Sequence, residues 1–117
     1  MSVLLVEDEP LSRRQVARFI RNEGYLVQEA ATGKAALDLI NSNDFAVVIT
    51  DLRLPDAVTG MDILNRFEQV SPRRGKILIT AFGSDTIEMA ARSLGALYIS
   101  KPLDLEDLLL KIKSFLP

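Results

Sequence analysis

Short apolar runs alternate with amphipathic stretches along the chain. The apolar runs lie at residues 3–6, 25–30, 45–50, 76–80 and 96–100, and several are continuous rather than alternating with polar residues. Continuous runs of this length are typical of strands that are buried on both faces of a sheet. The pattern therefore predicts five strands.

Helical periodicity fills the segments between these strands and follows the last one. A glycine at position 24 ends the first helix. The fifth helix has the clearest apolar face, which carries Leu105, Leu108, Leu109, Ile112 and Leu116. The residues that mark the five helix starts are a proline, hydroxyl residues, a glycine and acids, namely Pro10, Thr32, Gly60, Ser84 or Asp85, and Asp104.

Strict alternation of five strands with five helices predicts an α/β fold. Its sheet would be parallel and doubly wound, with helices on both faces and right-handed crossovers. A chain of 117 residues fits one such domain. Ligands of these sheets bind beyond the carboxyl ends of the strands, so functional residues are expected there.

The composition excludes several classes of function. Apolar residues make up 48% of the chain and charged residues 26%, as in an ordinary globular domain. A formal net charge of −2 gives no electrostatic case for binding nucleic acid or an anionic membrane. The chain has no cysteine and no histidine, which excludes thiolate metal sites, imidazole catalysis and a phosphohistidine of its own. We also expect no signal peptide and no membrane span.

Polar side chains stand at the ends of four of the five predicted strands. Glu7 and Asp8 follow the first strand, Asp51 the third, Thr80 ends the fourth, and Lys101 follows the fifth. Singly, each has an ordinary explanation as a solvated loop acid, a strand former or a surface lysine. Because parallel strands end at one edge of a sheet, these residues are expected to lie together. The second strand contributes none, as an edge strand would.

Clustered carboxylates need positive charge nearby. Two carboxylates about 4 Å apart repel each other by about 4 kcal/mol at an effective dielectric of about 20. One lysine offsets only part of this repulsion, so the acids predict a hard divalent cation with oxygen ligands, Mg²⁺. A carboxylate held between a cation and an ammonium group is suited to attack a phosphoryl group.

Four stretches, VLLVEDEP, VVITDLRLP, ILITAFGS and GALYISKPLDLEDLL, give the chain a specific resemblance. Together, in this order and at these separations, they resemble a response-regulator receiver domain of two-component signalling, over essentially the whole length. The resemblance implies a flavodoxin-like sheet with strand order 2-1-3-4-5 and one receiver domain over residues 1–117. It also implies a cytoplasmic phosphoprotein that takes part in a phosphorelay.

The resemblance assigns the acidic residues their roles. Asp51 would be the phospho-acceptor and a ligand of Mg²⁺. Asp8 would bind the metal directly, Glu7 directly or through water, and the backbone carbonyl of Arg53 would complete the protein ligands.

The remaining roles concern the phosphoryl group and the switch. Thr80 would hydrogen-bond a phosphoryl oxygen, Lys101 would pair with the group, and Tyr98 stands at the aromatic switch position. Residues that govern access to the acceptor and tune autodephosphorylation would be Arg53, Ala81 and Phe82.

The resemblance also implies partners. A sensor histidine kinase or a histidine phosphotransfer protein would supply the phosphoryl group. The surface of the fourth helix, fifth strand and fifth helix would then control an output or a partner, and it allows a homodimer. We expect no direct nucleic-acid binding by this domain and no enzymatic activity beyond self-catalysed phosphotransfer and autodephosphorylation. A stand-alone regulator and a receiver within a larger protein both fit.

Two features depart from the usual receiver pattern. The first acidic pair is Glu-Asp where Asp-Asp is more usual, a variant that should still bind metal. The loop LPDAVTGMDIL is one residue longer than usual between its proline and glycine, which leaves residues 56–59 without an assigned role.

Three alternatives share parts of this pattern. A phosphatase of the haloacid-dehalogenase type needs a second acid two residues after its nucleophile, where this chain has Arg53. A flavodoxin-like FMN carrier needs a loop rich in hydroxyl groups and glycine after the first strand, where EDEPLS would repel a phosphate. A degenerate receiver would lack the acceptor or the lysine, and the sequence has both.

Overall fold

The computed structural model describes residues 1–116, in which five strands alternate strictly with five helices. The elements are β1 (Ser2–Val6), α1 (Pro10–Asn22), β2 (Leu26–Ala30), α2 (Gly33–Ser42), β3 (Val47–Asp51), α3 (Gly60–Val70), β4 (Gly75–Thr80), α4 (Asp85–Ser93), β5 (Leu97–Ser100) and α5 (Leu105–Ser114). All strand pairs are parallel, and the sheet order is β2-β1-β3-β4-β5. The predicted fold and strand order are confirmed.

The sheet separates two apolar layers. Successive strand residues point to opposite faces, so each buried strand serves both layers. On one face the strands pack against α1 and α5, through residues such as Ile20 and Ile112. On the other face they pack against α2, α3 and α4, through residues such as Ile40 and Phe67. The predicted apolar face of α5 is confirmed, since Leu108, Leu109 and Ile112 are buried and Leu105 and Leu116 are partly buried against the same core.

The central strand β3 delivers an acid to the edge of the sheet. Every residue of β3 is buried, and the strand lies between β1 and β4. The prediction began this strand at Phe45, but the ladder begins at Val47. Phe45 is fully buried in the second apolar layer, so its burial does not depend on strand pairing. Asp51 is the last residue of the strand, so its backbone is fixed by the sheet.

Each helix begins with a residue whose side chain accepts backbone N–H bonds. Thr32, Ser84 and Asp104 do so at the predicted starts of α2, α4 and α5. Glu9 caps α1 before Pro10, and Thr59 caps α3 in a reciprocal capping box with Asp62. Within residues 1–116 no helix is long and apolar enough to cross a membrane.

Candidate functional site

Three carboxylates meet where β1 and β3 end. Oxygens of Glu7, Asp8 and Asp51 all lie within 4.8 Å of one another. The cause is the parallel pairing of β1 with β3, which brings the ends of both strands to the same edge. Glu7 and Asp51 are buried and Asp8 is exposed, so the group is open to solvent on one side. These oxygen donors form a group that could hold a metal ion.

Lys101 places one ammonium group against two of these acids. Its Nζ lies 3.3 Å from Oδ1 of Asp51 and 3.6 Å from Oε2 of Glu7. The residue follows β5, and its backbone N–H donates to the carbonyl of Thr80 at 2.9 Å. One positive charge is therefore shared between two buried carboxylates.

The excess of negative charge appears in the pKa values of this cluster. Burial raises the pKa of Asp51 to about 8, and the hydrogen bond and charge of Glu7 act in the same direction, while Lys101 offsets only part of the rise. Burial by itself lowers the pKa of Lys101, but the charges of Asp51 and Glu7 outweigh that effect and raise it. A site with this balance is suited to a divalent cation.

Glu9, the third consecutive acid, does not belong to the cluster. Its carboxylate turns the other way and accepts the backbone N–H groups of Leu11 and Ser12. It satisfies donors that the first turn of α1 would otherwise leave unpaired. The sequence Glu-Asp-Glu therefore divides into two residues of the site and one helix cap.

The loop after β4 forms the opposite wall of the pocket over Asp51. Thr80 is buried, and its hydroxyl oxygen accepts the backbone N–H of Phe82 at 3.1 Å. The guanidinium of Arg53 lies 5.7 Å from the centre of the exposed Phe82 ring. The residues that line this pocket are Asp8, Asp51, Leu52, Arg53, Ile79, Thr80, Ala81, Phe82 and Lys101.

Tyr98 lies beside this wall and outside the acid cluster. In the pairing of β4 with β5 it stands opposite Leu78, and Leu78 is two residues before Thr80 in β4. Its ring is partly buried against the second apolar layer. The hydroxyl group reaches Gly83, whose missing side chain leaves room for it.

The structure adds residues that the sequence did not indicate. Arg13 donates to the backbone carbonyl of Glu7 at 2.9 Å and to the carboxylate of Glu29 at 3.2 Å, which fixes the end of β1 to the edge strand. No sequence period predicts this contact, because it joins α1 to the residue after β1 and to a residue of β2. Gly60 packs against the backbone carbonyl of Asp51, where no side chain would fit. The sequence indicated Gly60 only as a helix start and not as a residue that packs on Asp51.

Sequence comparison identifies the family to which this site belongs. A profile described as "Response regulator receiver domain" matches residues 3–113. The chain belongs to the response regulator receiver domain family. The receiver is therefore a signalling domain rather than a conventional enzyme, and the phosphatase and FMN-carrier alternatives are excluded.

Individual relatives agree with this assignment. The receiver is 29% identical to sporulation initiation phosphotransferase F of Bacillus subtilis, with 98% of this chain and 93% of that protein covered. It is 30% identical to the probable transcriptional regulatory protein TcrX of Mycobacterium tuberculosis, with 99% of this chain but only 50% of TcrX covered. Its fold matches that of a CheY-like response regulator receiver domain protein from Methanospirillum hungatei with a TM-score of 0.90 and 32% identity, covering 97% and 90% of the two chains.

Proposed function

We propose that Asp51 accepts a phosphoryl group from the phosphohistidine of a sensor histidine kinase or a histidine phosphotransfer protein. The observation that carries this proposal is the position of Asp51, a buried carboxylate in contact with Lys101 and with two other acids at the end of the central strand. Because the chain belongs to the receiver family, these contacts favour a receiver that can be phosphorylated over a degenerate receiver that has lost this ability.

The proposed chemistry is a transfer between two carriers. A carboxylate oxygen of Asp51 forms a new bond to phosphorus, the phosphorus–nitrogen bond of the phosphohistidine breaks, and its electron pair stays on the imidazole. This step requires Asp51 in its ionised form, whereas the raised pKa of about 8 favours the protonated form near neutral pH. A second positive charge beside Lys101 is therefore needed.

We propose that Mg²⁺ supplies this charge. Its ligands would be Glu7, directly or through water, Asp8, Asp51 and the backbone carbonyl of Arg53. The donor set fits Mg²⁺, because three carboxylate oxygens lie within 4.8 Å of one another and part of the group is open for water ligands. When bound, the ion would lower the pKa of Asp51 and offset the charge of the phosphoryl oxygens.

Two side chains would then hold the phosphoryl group. Lys101 already contacts Asp51 and would pair with a phosphoryl oxygen. The oxygen of the Thr80 hydroxyl accepts the N–H of Phe82, so the hydroxyl hydrogen can be donated to a phosphoryl oxygen. Movement of Thr80 toward the group would change the space that the ring of Tyr98 can occupy, and with it the surface of α4, β5 and α5.

Loss of the phosphoryl group would occur by self-catalysed hydrolysis. Arg53 and Phe82 line the pocket over Asp51 and contact each other, so they would govern the entry of water. The further elements of the proposal rest on the family. They are one receiver domain over residues 1–117, a cytoplasmic location, and a homodimer through the surface of α4, β5 and α5.

Phosphorylation with a small phosphodonor tests the acceptor. The wild-type protein, incubated with phosphoramidate and Mg²⁺, should gain one phosphoryl group by intact mass spectrometry, and Asp51→Asn should gain none. Asp44→Asn is the matched control, since it makes the same chemical change at an exposed acid whose side chain pairs only with Arg74 among the ion pairs of residues 1–116. Equal labelling of Asp51→Asn and the wild type would disprove the assignment.

A further inference from the structure

The loop between β3 and α3, residues 52–59, is closed at its base. The backbone N–H of Gly60 donates to the carbonyl of Leu52 at 2.8 Å, and Gly60 packs directly on the carbonyl of Asp51. The two ends of the loop are therefore attached to each other and to the backbone of the proposed acceptor. Arg53, whose carbonyl is a proposed metal ligand, lies within this loop.

The middle of the loop is attached to another helix. The Asp56 carboxylate accepts the backbone N–H of Gly33 at 3.0 Å and that of Lys34 at 2.9 Å. These are the first two residues of α2, whose N–H groups have no partner within the helix. The hydroxyl of Thr32 accepts the next one, from Ala35, at 3.1 Å. The loop thus supplies two of the three caps on α2.

The Asp56 carboxylate is held as an anion by these contacts. The hydrogen bond from Lys34, and then that from Gly33, lowers the pKa of Asp56 below its ordinary value. Both carboxylate oxygens are engaged, one with each N–H group. A neutral side chain at this position could not accept both bonds equally well.

A second contact attaches the loop to α2 independently of Asp56. A side chain at position 33 would lie 2.6 Å from Cγ1 of Val58 and 2.9 Å from its backbone carbonyl oxygen. Only glycine lets Val58 approach the helix this closely. Polar and apolar contacts therefore hold the same loop against the same end of α2.

From these contacts we propose that Asp56 is a positioning residue for the metal site. By holding the loop on α2, it would keep Arg53, whose carbonyl is a proposed ligand, in its place beside Asp8 and Asp51 in the pocket before a metal arrives. A ligand that is already ordered loses less conformational entropy on binding, and its affinity is higher. This inference rests on the proposed Mg²⁺ site, and it gives a role to the lengthened loop that the sequence left unassigned.

The chain offers a matched pair of variants for the test. Asp56→Ala and Thr32→Ala each remove capping acceptors from the start of α2, but only Asp56→Ala removes hydrogen bonds between the loop and the helix. We expect the Mg²⁺ Kd of Asp56→Ala to rise about tenfold, by analogy with outer partners of metal ligands, and that of Thr32→Ala to change by about twofold or less. The Kd is measured by titrating backbone amide shifts, and thermal unfolding in EDTA checks that both variants are folded.

A second readout separates positioning from a general loss of structure. The rate of phosphorylation by phosphoramidate, followed over a range of Mg²⁺ concentrations, should recover in Asp56→Ala at saturating Mg²⁺. In the wild type, Mg²⁺ should also slow amide hydrogen exchange at Gly33 and Lys34, and in Asp56→Ala it should not, because coupling between two sites acts in both directions.

The outcomes distinguish this inference from the proposal beneath it. If the wild type binds Mg²⁺ and is phosphorylated, but Asp56→Ala and Thr32→Ala have the same Kd, Asp56 has only a structural role and the inference is wrong. If the wild type binds no Mg²⁺, the proposed metal site itself is wrong, and the positioning role fails with it. Asp56→Asn, which keeps one acceptor oxygen, should give an intermediate Kd.

Discussion

The hydroxyl group of Tyr98 occupies the space in which a side chain on residue 83 would begin. A β-carbon on Gly83 would also lie 2.7 Å from the Cζ atom of the Tyr98 ring and 3.0 Å from the Cγ2 atom of Thr80. The backbone of Gly83 does not have a positive φ, in contrast to Gly24 and Gly95. Space, and not backbone conformation, is therefore what requires glycine at position 83.

Replacement of this glycine should displace the tyrosine ring. In Gly83→Ala the added methyl group competes for the place of the Tyr98 hydroxyl, and the ring should turn away from Thr80 toward solvent. The chain has two tyrosines, so fluorotyrosine labelling gives two ¹⁹F resonances, which Tyr25→Phe assigns. The Tyr98 resonance should move in Gly83→Ala, and it should then respond less to a beryllofluoride mimic of the phosphoryl group.

The control is Gly83→Ala in a Tyr98→Phe background, in which the tyrosine hydroxyl is absent. Gly83→Ala should cost about 1 kcal/mol or more in unfolding free energy if the ring stays in place, as overpacking does, and less in a Tyr98→Phe background. An unmoved Tyr98 resonance together with an unchanged stability would contradict the steric relationship.

The stability of the metal-free protein should fall as pH rises. The pKa of Asp51 is raised from 3.8 to about 8 in the folded state, so the native protein holds this proton more tightly than the unfolded chain does. Between those two pH values the unfolded chain releases the proton first, and raising the pH favours unfolding. In EDTA, Asp51→Asn should therefore gain more than about 1 kcal/mol over wild type between pH 4 and pH 8.

Urea unfolding of both proteins at several pH values measures this difference. Saturating Mg²⁺ should remove most of it, because the ion stabilises the carboxylate form that the metal-free site disfavours. A difference that grows toward low pH would have the wrong sign and would mean that Asp51 is not held in its protonated form.

Loss of the carboxylate should have different effects at two neighbouring acids, Asp8 and Glu9. Asp8→Asn removes a carboxylate from the cluster and should weaken Mg²⁺ binding about tenfold or more. Glu9→Ala removes the cap of α1 and should cost about 1 kcal/mol of stability with Mg²⁺ affinity nearly unchanged. Titration of each variant with Mg²⁺, combined with thermal unfolding in EDTA, separates the two effects. Equal losses of affinity would show that both acids belong to one site.

The stability of the protein should depend on which partner of the Lys76–Glu68 ion pair is replaced. Lys76 is only 2% exposed, and its Nζ lies 2.6 Å from Glu68 and 2.8 Å from the carbonyl of Arg74. Lys76→Met removes the buried charge and leaves Glu68 near water, so its stability should stay within about 1 kcal/mol of wild type. Glu68→Gln leaves a buried ammonium group without its counter-ion and should be clearly less stable.

Denaturant midpoints of these two variants and of the double variant check this order. The double variant should be more stable than Glu68→Gln alone, since the unpaired charge is then absent. If Glu68→Gln is as stable as the wild type, water reaches the ammonium group and Lys76 is not buried in solution.

The fold and the acid cluster could be predicted because both follow from local patterns. Apolar runs define the strands, and a parallel sheet brings its strand ends to one edge, so Asp51 and Lys101 could be expected together. The cap formed by Glu9 was also within reach, since an acid before Pro10 at a helix start is a recognisable signal.

Contacts between distant elements could not be predicted in this way. Asp56 and Gly33 are 23 residues apart, and Arg13 and Glu29 are 16 apart, with no period that links them. The place of the Tyr98 hydroxyl depends on a side chain that Gly83 lacks, and an absent side chain leaves no pattern. These tertiary contacts position the loops and side chains around the site, whereas the pattern of strands and helices in the sequence determines where the site forms.

The single ammonium group of Lys101 contacts two acids, Glu7 and Asp51, and this shared contact bears on how a signal would end. A phosphoryl group on Asp51 would compete with Glu7 for that ammonium, so the signalling state would be reached by giving up part of an existing ion pair. When the phosphoryl group is lost, Glu7 would still be present and would attract Lys101 back. On this proposal the resting arrangement would restore itself without a partner, and the receiver could accept a phosphoryl group again.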